Sequence, residues 1–259
     1  MRLAVFNQKG GVGKTTTVLN LAAGLARRHV APLVVDLDSQ AHLTGILAPV
    51  DEAEASAFAL FGDAPRSIAE LARDVALGGD LPAALLPGHI DLMRIDSLYG
   101  KGPRVLMALR AALDAGPPEA RARPVLIDCC PMLGVLSLVG VFAADRVLVP
   151  VSTDYLAVRG ALALEHTLKA LEPVLKRRVE RRYVLTRFDT RRGMAHRIET
   201  ELRERFGAEL CETRVAESVA LAESPFHGRD IFARAPASRG AQDYAQLLEE
   251  LLASGFFEV

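Results

Sequence analysis

The sequence is poor in cysteine, and its cysteines are not arranged as bridges or metal ligands. Only three occur among 259 residues, and two of them, Cys129 and Cys130, are adjacent while Cys211 lies far away. No set of Cys and His residues has the spacing of a metal site. This pattern excludes a disulfide framework and favours a reducing cytosol.

Long hydrophobic runs and an excess of charge of one sign are also missing. The longest apolar run, from Met132 to Ala144, includes Ser137 and falls short of the roughly 20 residues that span a bilayer. The apolar stretch near the N-terminus, Leu3 to Phe6, is too short for a signal peptide. The formal net charge of -1 excludes a chain that is a polycation as a whole. We therefore expect a cytoplasmic protein.

Short β-branched runs alternate with longer helical patterns along the chain, which predicts an α/β fold with a mostly parallel, twisted sheet and helices on both faces. No linker divides residues 1–259, so a single domain is expected. The predicted strands are Leu3–Phe6, Leu33–Asp36, Ile90–Arg94, Val125–Asp128, Arg146–Val151, Tyr183–Thr186 and Glu209–Cys211. The predicted helices are Lys14–Arg28, Gly102–Leu113, Asp154–Lys176, Gly193–Phe206 and Gly240–Ala253.

A glycine-rich loop follows the first strand and precedes the first helix, which is the context of a phosphate-binding P-loop. Its backbone N–H groups and the helix N-terminus attract phosphate. Lys14 would reach the β- and γ-phosphates of a nucleotide, and the Thr15 hydroxyl would ligate Mg²⁺. The predicted nucleotide-binding residues of the loop are Lys9, Gly10, Gly11, Val12, Gly13, Lys14, Thr15 and Thr16. The fold class is therefore expected to be a three-layer P-loop NTPase.

Aspartate residues at the ends of two other strands accompany the loop. Asp36 and Asp38 end the second strand. Because alternate residues of a strand lie on the same side, both can face a site at its carboxyl end. Asp128 ends the apolar strand that begins at Val125, the position at which P-loop proteins hold Mg²⁺ through water. The three motifs together are more specific than any one alone.

The loop departs from the general P-loop pattern in a way that resembles one known family. Gln8 stands where the pattern has glycine, and Lys9 is an additional lysine. This combination resembles the deviant Walker A ATPases and, among them, the ParA/Soj partition proteins. The segments Ala144–Val151, Leu221–Gly228 and Ser238–Ala241 extend the resemblance over the chain.

The resemblance implies ATP and Mg²⁺ as cofactors and an ATP-sandwich homodimer in which Lys9 reaches the partner's nucleotide. It implies that Lys9, Lys14 and Asp38 are catalytic, with Asp38 orienting the attacking water, and that Thr15, Asp38 and Asp128 serve the metal. It places the adenine near Thr186–Asp189, with Arg187 in contact. The switch loops would contain Asp36, Gln40, Pro131 and Gly134.

A basic segment suggests a polyanionic partner. Between Lys176 and Arg197 nine Lys or Arg residues stand against Glu180 and Asp189, a charge balance suited to sequence-independent phosphate contacts. The predicted DNA-binding residues are Lys176, Arg177, Arg178, Arg191, Arg192 and Arg197. One departure from the family argues against DNA binding. The family's R-N-V-R segment is Glu217 to Ala220 in this chain, and both arginines are replaced.

The resemblance implies a nucleoid-associated ATPase whose ATP-bound dimer binds DNA non-specifically. A ParB-like activator with a basic N-terminus would stimulate hydrolysis and release. No N-terminal helix-turn-helix segment precedes the P-loop, so operator-specific binding is not expected. The replaced arginines also allow a protein cluster or microcompartment as cargo.

Three rival functions remain open. A MinD-like membrane cycle requires a basic amphipathic C-terminal helix, whereas no Lys or Arg follows Arg239. Iron–sulfur reductases of this fold require cluster cysteines in each subunit. A scaffold that binds nucleotide without turnover is disfavoured by the presence of both Lys9 and Asp38.

Overall fold

The computed structural model describes residues 1–259 and contains one eight-stranded sheet. The strands are β1 (Arg2–Val5), β2 (Leu33–Leu37), β3 (Arg73–Val75), β4 (Ala83–Leu86), β5 (Val125–Cys129), β6 (Arg146–Ser152), β7 (Glu180–Phe188) and β8 (Leu210–Ala216). Their spatial order is β3-β4-β2-β5-β1-β6-β7-β8. All neighbouring pairs are parallel except β3 with β4, so the antiparallel strand lies at one edge.

Thirteen α-helices connect the strands or follow the last of them. They are α1 (Lys14–Ala26), α2 (His42–Leu47), α3 (Ile68–Leu71), α4 (Ile95–Tyr99), α5 (Pro103–Leu106), α6 (Ala108–Asp114), α7 (Pro118–Ala122), α8 (Val135–Ala143), α9 (Ala157–Leu175), α10 (Gly193–Phe206), α11 (Val219–Glu223), α12 (Ile231–Arg234) and α13 (Arg239–Ala253). Short 3₁₀ helices occur at Ala53–Ala55, Ala57–Leu60, Ile90–Arg94, Gly207–Glu209 and Ser224–His227. No helix of the chain is both long enough and apolar enough to cross a bilayer.

Alternate residues of each buried strand enter two different cores. In β1, Leu3 and Val5 pack against α1 and α13, whereas Ala4 packs on the opposite face with α8 and α9. Strands that are apolar on both faces therefore lie between two layers of helices. The predicted three-layer α/β fold is confirmed.

The structure corrects two predicted elements on the β2 side of the sheet. Ile90–Arg94 forms a 3₁₀ helix, and the strand beside β2 is β4, seven residues earlier. β4 has the sequence Ala-Ala-Leu-Leu, with all four residues buried, so burial on both faces overrides its weak strand propensity. The predicted helix Gly102–Leu113 is divided into α5 and α6 at Met107.

The apolar run from Met132 to Ala144 forms the loop after β5 and then α8. Eight of the nine residues of α8 are buried against the sheet, which explains why the segment lacks a polar stripe.

Candidate active site

The glycine-rich loop joins β1 to α1 at the carboxyl edge of the sheet. Gly11 and Gly13 adopt positive φ angles of 73° and 86°, a region that side chains with a Cβ rarely occupy. α1 begins at Lys14 and runs for 13 residues, so its first amide groups face the loop. The arrangement provides inward N–H donors and a helix dipole for an anion.

Neighbouring elements hold this loop in place through three side-chain hydrogen bonds. Asn7 Nδ2 donates to the Pro150 carbonyl at 2.7 Å, and Thr186 Oγ1 donates to the Val12 carbonyl at 2.9 Å. Gln8 Nε2 donates to Oγ1 of Thr167 on α9 at 3.1 Å. Gln8, the departure from the general P-loop pattern, therefore ties the loop to α9.

Lys14 is buried at the start of α1, where its ammonium group donates to the Lys9 carbonyl at 3.0 Å. Burial lowers the pKa of Lys14, while the nearby charges of Asp128 and Asp38 oppose that shift. The side chain thus provides a cation between the loop and the two carboxylate positions.

Lys9 points to a different partner. Its ammonium group forms an ion pair with Asp154, in the turn that follows β6. Asp154 also accepts a hydrogen bond from Ser152 Oγ at 2.7 Å. Burial alone would raise the pKa of Asp154, but the hydrogen bonds from Lys9 and Ser152 lower it overall. Asp154 lies 145 residues from Lys9, and no local motif in the sequence points to it.

Asp36 and Asp128 are direct neighbours on the paired strands β2 and β5. Both are fully buried. Burial raises the pKa of Asp36 to about 6, against the opposing effect of hydrogen bonds from Thr44 and Asp38. Burial, followed by the charge of Asp36, raises the pKa of Asp128 well above its usual range, although the nearby Thr15 hydroxyl opposes the shift. Two buried carboxyl groups side by side require a compensating cation or a proton.

Asp128 differs from Asp36 because neither of its carboxylate oxygens has a hydrogen-bond partner of good geometry in the protein. A fully buried carboxyl group without partners is rare in folded proteins. Its oxygens are hard ligands that suit Mg²⁺ or the water molecules around it. The donor set at this position therefore fits the magnesium ion expected from the sequence.

Asp38 and Gln40 form the loop between β2 and α2. Asp38 is half-buried, and its Oδ1 accepts a hydrogen bond from the Gln40 amide at 3.0 Å. The Asp38 amide in turn donates to Asp36 Oδ1 at 3.1 Å. Thr44 also donates to Asp36, a contact that no sequence motif indicates.

Pro131 and Gly134 lie in the loop between β5 and α8. Gly134 is the N-cap residue of α8, and its amide donates to Ser137 Oγ at 3.0 Å. Met132 and Leu133, between them, are exposed. The loop therefore carries an apolar surface directly after Asp128.

Arg187 lies at the carboxyl end of β7 with a positive φ of 50°, which is unusual for an arginine. Its guanidinium pairs with Glu217 at 3.1 Å. Beside it an open cleft of about 480 Å³ is lined by Phe188–Arg191, by Arg214 and Ala216 at the end of β8, and by Glu217, Val219 and Arg239 beyond that strand. The hydrogen bond from Thr186 to Val12 joins the strand that leads into this cleft to the phosphate loop.

The six predicted DNA-binding residues fall into two separate groups. Lys176, Arg177 and Arg178 precede β7, whereas Arg191, Arg192 and Arg197 follow it. A nine-residue strand separates the two groups by roughly 30 Å.

Two residues of the first group, Arg177 and Arg178, are engaged in the fold. Arg177 donates to the carbonyls of Ala144 and Asp145, and Arg178 pairs with Glu209. The second group lies at the carboxyl edge with the phosphate loop. The six residues therefore do not form one continuous surface, because the strand between the groups is extended.

Comparisons with known proteins agree on the family. A family model described as an AAA domain matches residues 1–181. The chain is 38% identical to the chromosome-partitioning ATPase Soj of Thermus thermophilus, covering 97% of this chain and 95% of that protein. It is 32% identical to the chromosome partitioning protein ParA of Caulobacter vibrioides, covering 96% and 93%.

A solved structure with bound nucleotide has the same fold. Cobyrinic acid a,c-diamide synthase from Mycobacterium smegmatis, with an ATP analogue and magnesium, superposes with a TM-score of 0.80 at 28% identity. The match covers 98% of this chain and 95% of the other. The predicted ATPase activity and the predicted use of ATP and Mg²⁺ are confirmed. The chain belongs to the AAA-domain family and, within it, to the ParA/Soj-type partition ATPases.

Proposed function

We propose that this ParA-like ATPase cycles between a monomer and an ATP-bound sandwich dimer that binds DNA non-specifically. Hydrolysis, stimulated by a partner protein, returns it to the monomer and releases the DNA. The cycle would segregate or position DNA or another large cargo. The observation that carries the proposal is the carboxyl edge of the sheet, where an anion-binding loop, buried carboxylates and exposed apolar residues meet.

The nucleotide would bind along this edge. The loop from Gly10 to Thr16 would hold the phosphates, with Lys14 on the β- and γ-phosphates and the base in the cleft beside Arg187. Thr15 and Asp128 would hold Mg²⁺, which neutralises phosphate charge when bound. Asp38, which is less buried than Asp36, would also face the metal and orient the attacking water.

The dimer face is supported by exposed apolar side chains around the loop. Met132 and Leu133 follow β5, and Tyr155 and Leu156 follow β6; Met132 and Tyr155 are 76% and 83% exposed. Large apolar residues grouped at one edge are typical of an interaction surface. Both pairs flank the mouth of the phosphate loop.

Lys9 is the second feature that favours a dimer. In the single chain it pairs with Asp154 instead of turning toward its own phosphate loop. Both side chains are partly exposed, so the pair is weak enough to exchange for a phosphate group. We infer that Lys9 leaves Asp154 when it reaches the partner's nucleotide.

The DNA surface would be the carboxyl-edge group of arginines. Arg191 and Arg192 are exposed and share Asp189, and Arg197 on α10 is exposed with no ion-pair partner. Exposed ion pairs contribute little free energy, so DNA phosphates would compete with Asp189 for the two arginines. Glu217 pairs with Arg187 and reduces the positive charge nearby.

An electrophoretic shift assay with random-sequence duplex DNA tests the proposal across a salt series with ATP, ADP or no nucleotide. DNA binding is expected only when ATP is present, and its affinity should fall as the salt concentration rises. The Arg191→Ala/Arg192→Ala variant should bind more weakly and reduce the salt slope by about one for each DNA phosphate that it no longer reaches. The Lys176→Ala/Arg178→Ala variant is the matched control, with the same change in charge at the opposite edge.

Two results of this assay would count against the proposal. Binding that is independent of nucleotide would contradict a switch. No binding even at low salt with ATP would remove DNA as the partner and favour a protein cluster as cargo. If DNA binding is independent of nucleotide, ATP-dependent formation of the dimer can still be measured separately.

The activator would be a ParB-like protein with a basic N-terminus, and the protein would reside in the cytoplasm on the nucleoid. A MinD-like membrane cycle receives less support, because the apolar residues of the C-terminal segment are occupied. Leu247, Leu251 and Phe257 are buried in the core beside α1. Flotation with anionic liposomes and ATP distinguishes the two cycles: co-flotation would favour the membrane cycle.

A further inference from the structure

Thr44, near the start of α2, makes contacts that extend into the active site. Its amide donates to Asp36 Oδ2 at 2.9 Å, and its hydroxyl donates to the same oxygen at 2.7 Å. The hydroxyl also accepts a hydrogen bond from the Gly88 amide at 2.7 Å. Thr44, Asp36 and these bonds are buried.

The direction of these hydrogen bonds is fixed by chemistry. The Gly88 N–H is only a donor, so Thr44 Oγ1 accepts from Gly88, and the single hydroxyl proton of Thr44 is donated to the ionised Asp36 carboxylate, which can only accept. Asp36 therefore receives this bond as a carboxylate acceptor. The hydroxyl connects the segment after β4 to the acid at the end of β2.

Gly88 is suited to this contact because it has no side chain. A Cβ at Gly88 would lie 2.9 Å from Cγ of Asp36 and 3.0 Å from the Asp36 carbonyl oxygen. This close approach allows the Gly88 amide to reach Thr44. The position of Asp36 is thus set from the β4 side as well as from its own loop.

Asp36 also holds the start of the loop that carries Asp38. Its Oδ1 accepts from the Asp38 amide at 3.1 Å, while its Oδ2 accepts from Thr44 six residues further on. One carboxylate therefore closes the loop from both ends. Within the loop, Ala41 has a positive φ of 49°, a conformation that alanine adopts only under constraint.

We propose that Thr44 is a positioning residue for ATP hydrolysis. Its hydroxyl holds Asp36, and Asp36 in turn places Asp38 where it can orient the water that attacks ATP. Thr44 itself would not touch the nucleotide. The inference rests on the ATPase activity and on the role proposed for Asp38. It explains why Asp36 is buried beside Asp128: Asp36 holds the loop that carries Asp38.

Two substitutions separate the hydroxyl from the packing of Thr44. Valine has nearly the same shape but cannot donate to Asp36 or accept from Gly88. Serine keeps both hydrogen bonds and loses only a methyl group. A purely structural role for the methyl group would make serine the worse replacement, whereas a positioning role for the hydroxyl would make valine the worse one.

The experiment measures steady-state hydrolysis, equilibrium binding of a fluorescent ATP analogue and thermal unfolding for Thr44→Val, Thr44→Ala and Thr44→Ser in the full chain. Thr44→Val and Thr44→Ala should bind nucleotide within about threefold of wild type and lose between about 10- and 100-fold in kcat. Thr44→Ser should stay within about threefold in both. Thr44→Ala is included because it removes the hydroxyl without burying a second methyl group against Gly88.

Wild-type turnover by a folded Thr44→Val or Thr44→Ala variant would overturn the inference, and so would a Thr44→Ser variant as slow as Thr44→Val. Asp38→Ala, measured in parallel, distinguishes the role of Thr44 from that of Asp38. If Asp38→Ala is inactive while Thr44→Val is normal, only the role of Thr44 is wrong. If Asp38→Ala hydrolyses ATP normally, the role proposed for Asp38 is wrong and that of Thr44 fails with it.

Discussion

Replacing Asp128 with asparagine should make the nucleotide-free protein more stable and its response to Mg²⁺ and ATP weaker. Neither carboxylate oxygen of Asp128 has a hydrogen-bond partner of good geometry in the protein, so the substitution removes no well-formed hydrogen bond. It does remove a buried group whose charge lies beside Asp36. A site kept for a cation at the expense of stability is a common form of the stability–function trade-off.

The size of the gain follows from the neighbouring acid. Asp36, equally buried but with three hydrogen bonds, has its pKa raised from 3.8 to about 6. A shift of this size means that the folded protein is about 3 kcal/mol less stable with Asp36 ionised than with Asp36 protonated. For Asp128 the expectation follows from its burial: removing an uncompensated buried charge is worth about 3 kcal/mol, which corresponds to an increase in Tm of roughly 6–12 °C.

The sign of the pH dependence follows from the direction of these shifts. A carboxyl group whose folded pKa is raised costs nothing below its unfolded pKa and costs more as pH rises toward the folded value. For Asp36 that window lies between about pH 4 and 6, and the cost of burying Asp128 likewise grows as the pH rises above the ordinary pKa of a carboxyl group. The advantage of Asp128→Asn should therefore be larger at pH 8 than at pH 5.

Thermal unfolding in EDTA and in Mg²⁺ with ATP, at both pH values, provides the assay. Wild type should gain about 2.7 kcal/mol when the nucleotide is at 100 times its Kd, and the variant should gain much less. Asp51→Asn, an exposed acid without an ion pair, is the control. A variant that is no more stable than wild type in EDTA at pH 8, or that keeps the full Mg²⁺-ATP response, would refute the reasoning.

Three further outcomes are expected. Gly88→Ala should lose about 1–3 kcal/mol of stability, because its Cβ would lie 2.9 Å from Asp36 Cγ. Gly45→Ala, which has open space around it in α2, should instead gain about 1 kcal/mol. Chemical denaturation measures both variants, and equal effects on stability would contradict the geometry. Phe257→Ala should cost about 3–5 kcal/mol because the ring is buried in the core, and a neutral result would show that the C-terminal segment is not packed there. Lys14→Ala should abolish binding of a fluorescent ATP analogue while leaving the far-ultraviolet circular dichroism unchanged, and retained binding would exclude Lys14 as the phosphate cation.

The parts of the fold and site that the sequence predicts are those with a local signature. Lys14 and Asp128 each belong to a short motif that includes an apolar strand, and the structure brings both to one edge of the sheet. Alternation of strands and helices is enough to predict the layers. Strands such as β5 are continuously apolar because they are buried on both faces, which makes them easy to locate.

Features set by distant contacts have no such signature. Ile90–Arg94 alternates like a strand but forms a 3₁₀ helix after β4, whose alanines are strand residues only because both faces are covered. Asp154 and Thr44 have partners 145 and 8 residues away, and these contacts require the folded sheet, so neither could be predicted from a motif. The charges of the basic segment are close in sequence, but β7 places them at opposite edges.

The central claim is that ATP joins two chains through Lys9, and sedimentation velocity on the hydrolysis-blocked Asp38→Ala variant tests it most directly. We expect a monomer without nucleotide or with ADP and a dimer with ATP. The Lys9→Ala/Asp38→Ala double variant should bind ATP and remain a monomer, with stability changed by no more than about 1 kcal/mol because the Lys9–Asp154 pair is partly exposed. An Asp38→Ala protein that stays monomeric with saturating ATP, or a double variant that dimerises as well as the single one, would contradict the account.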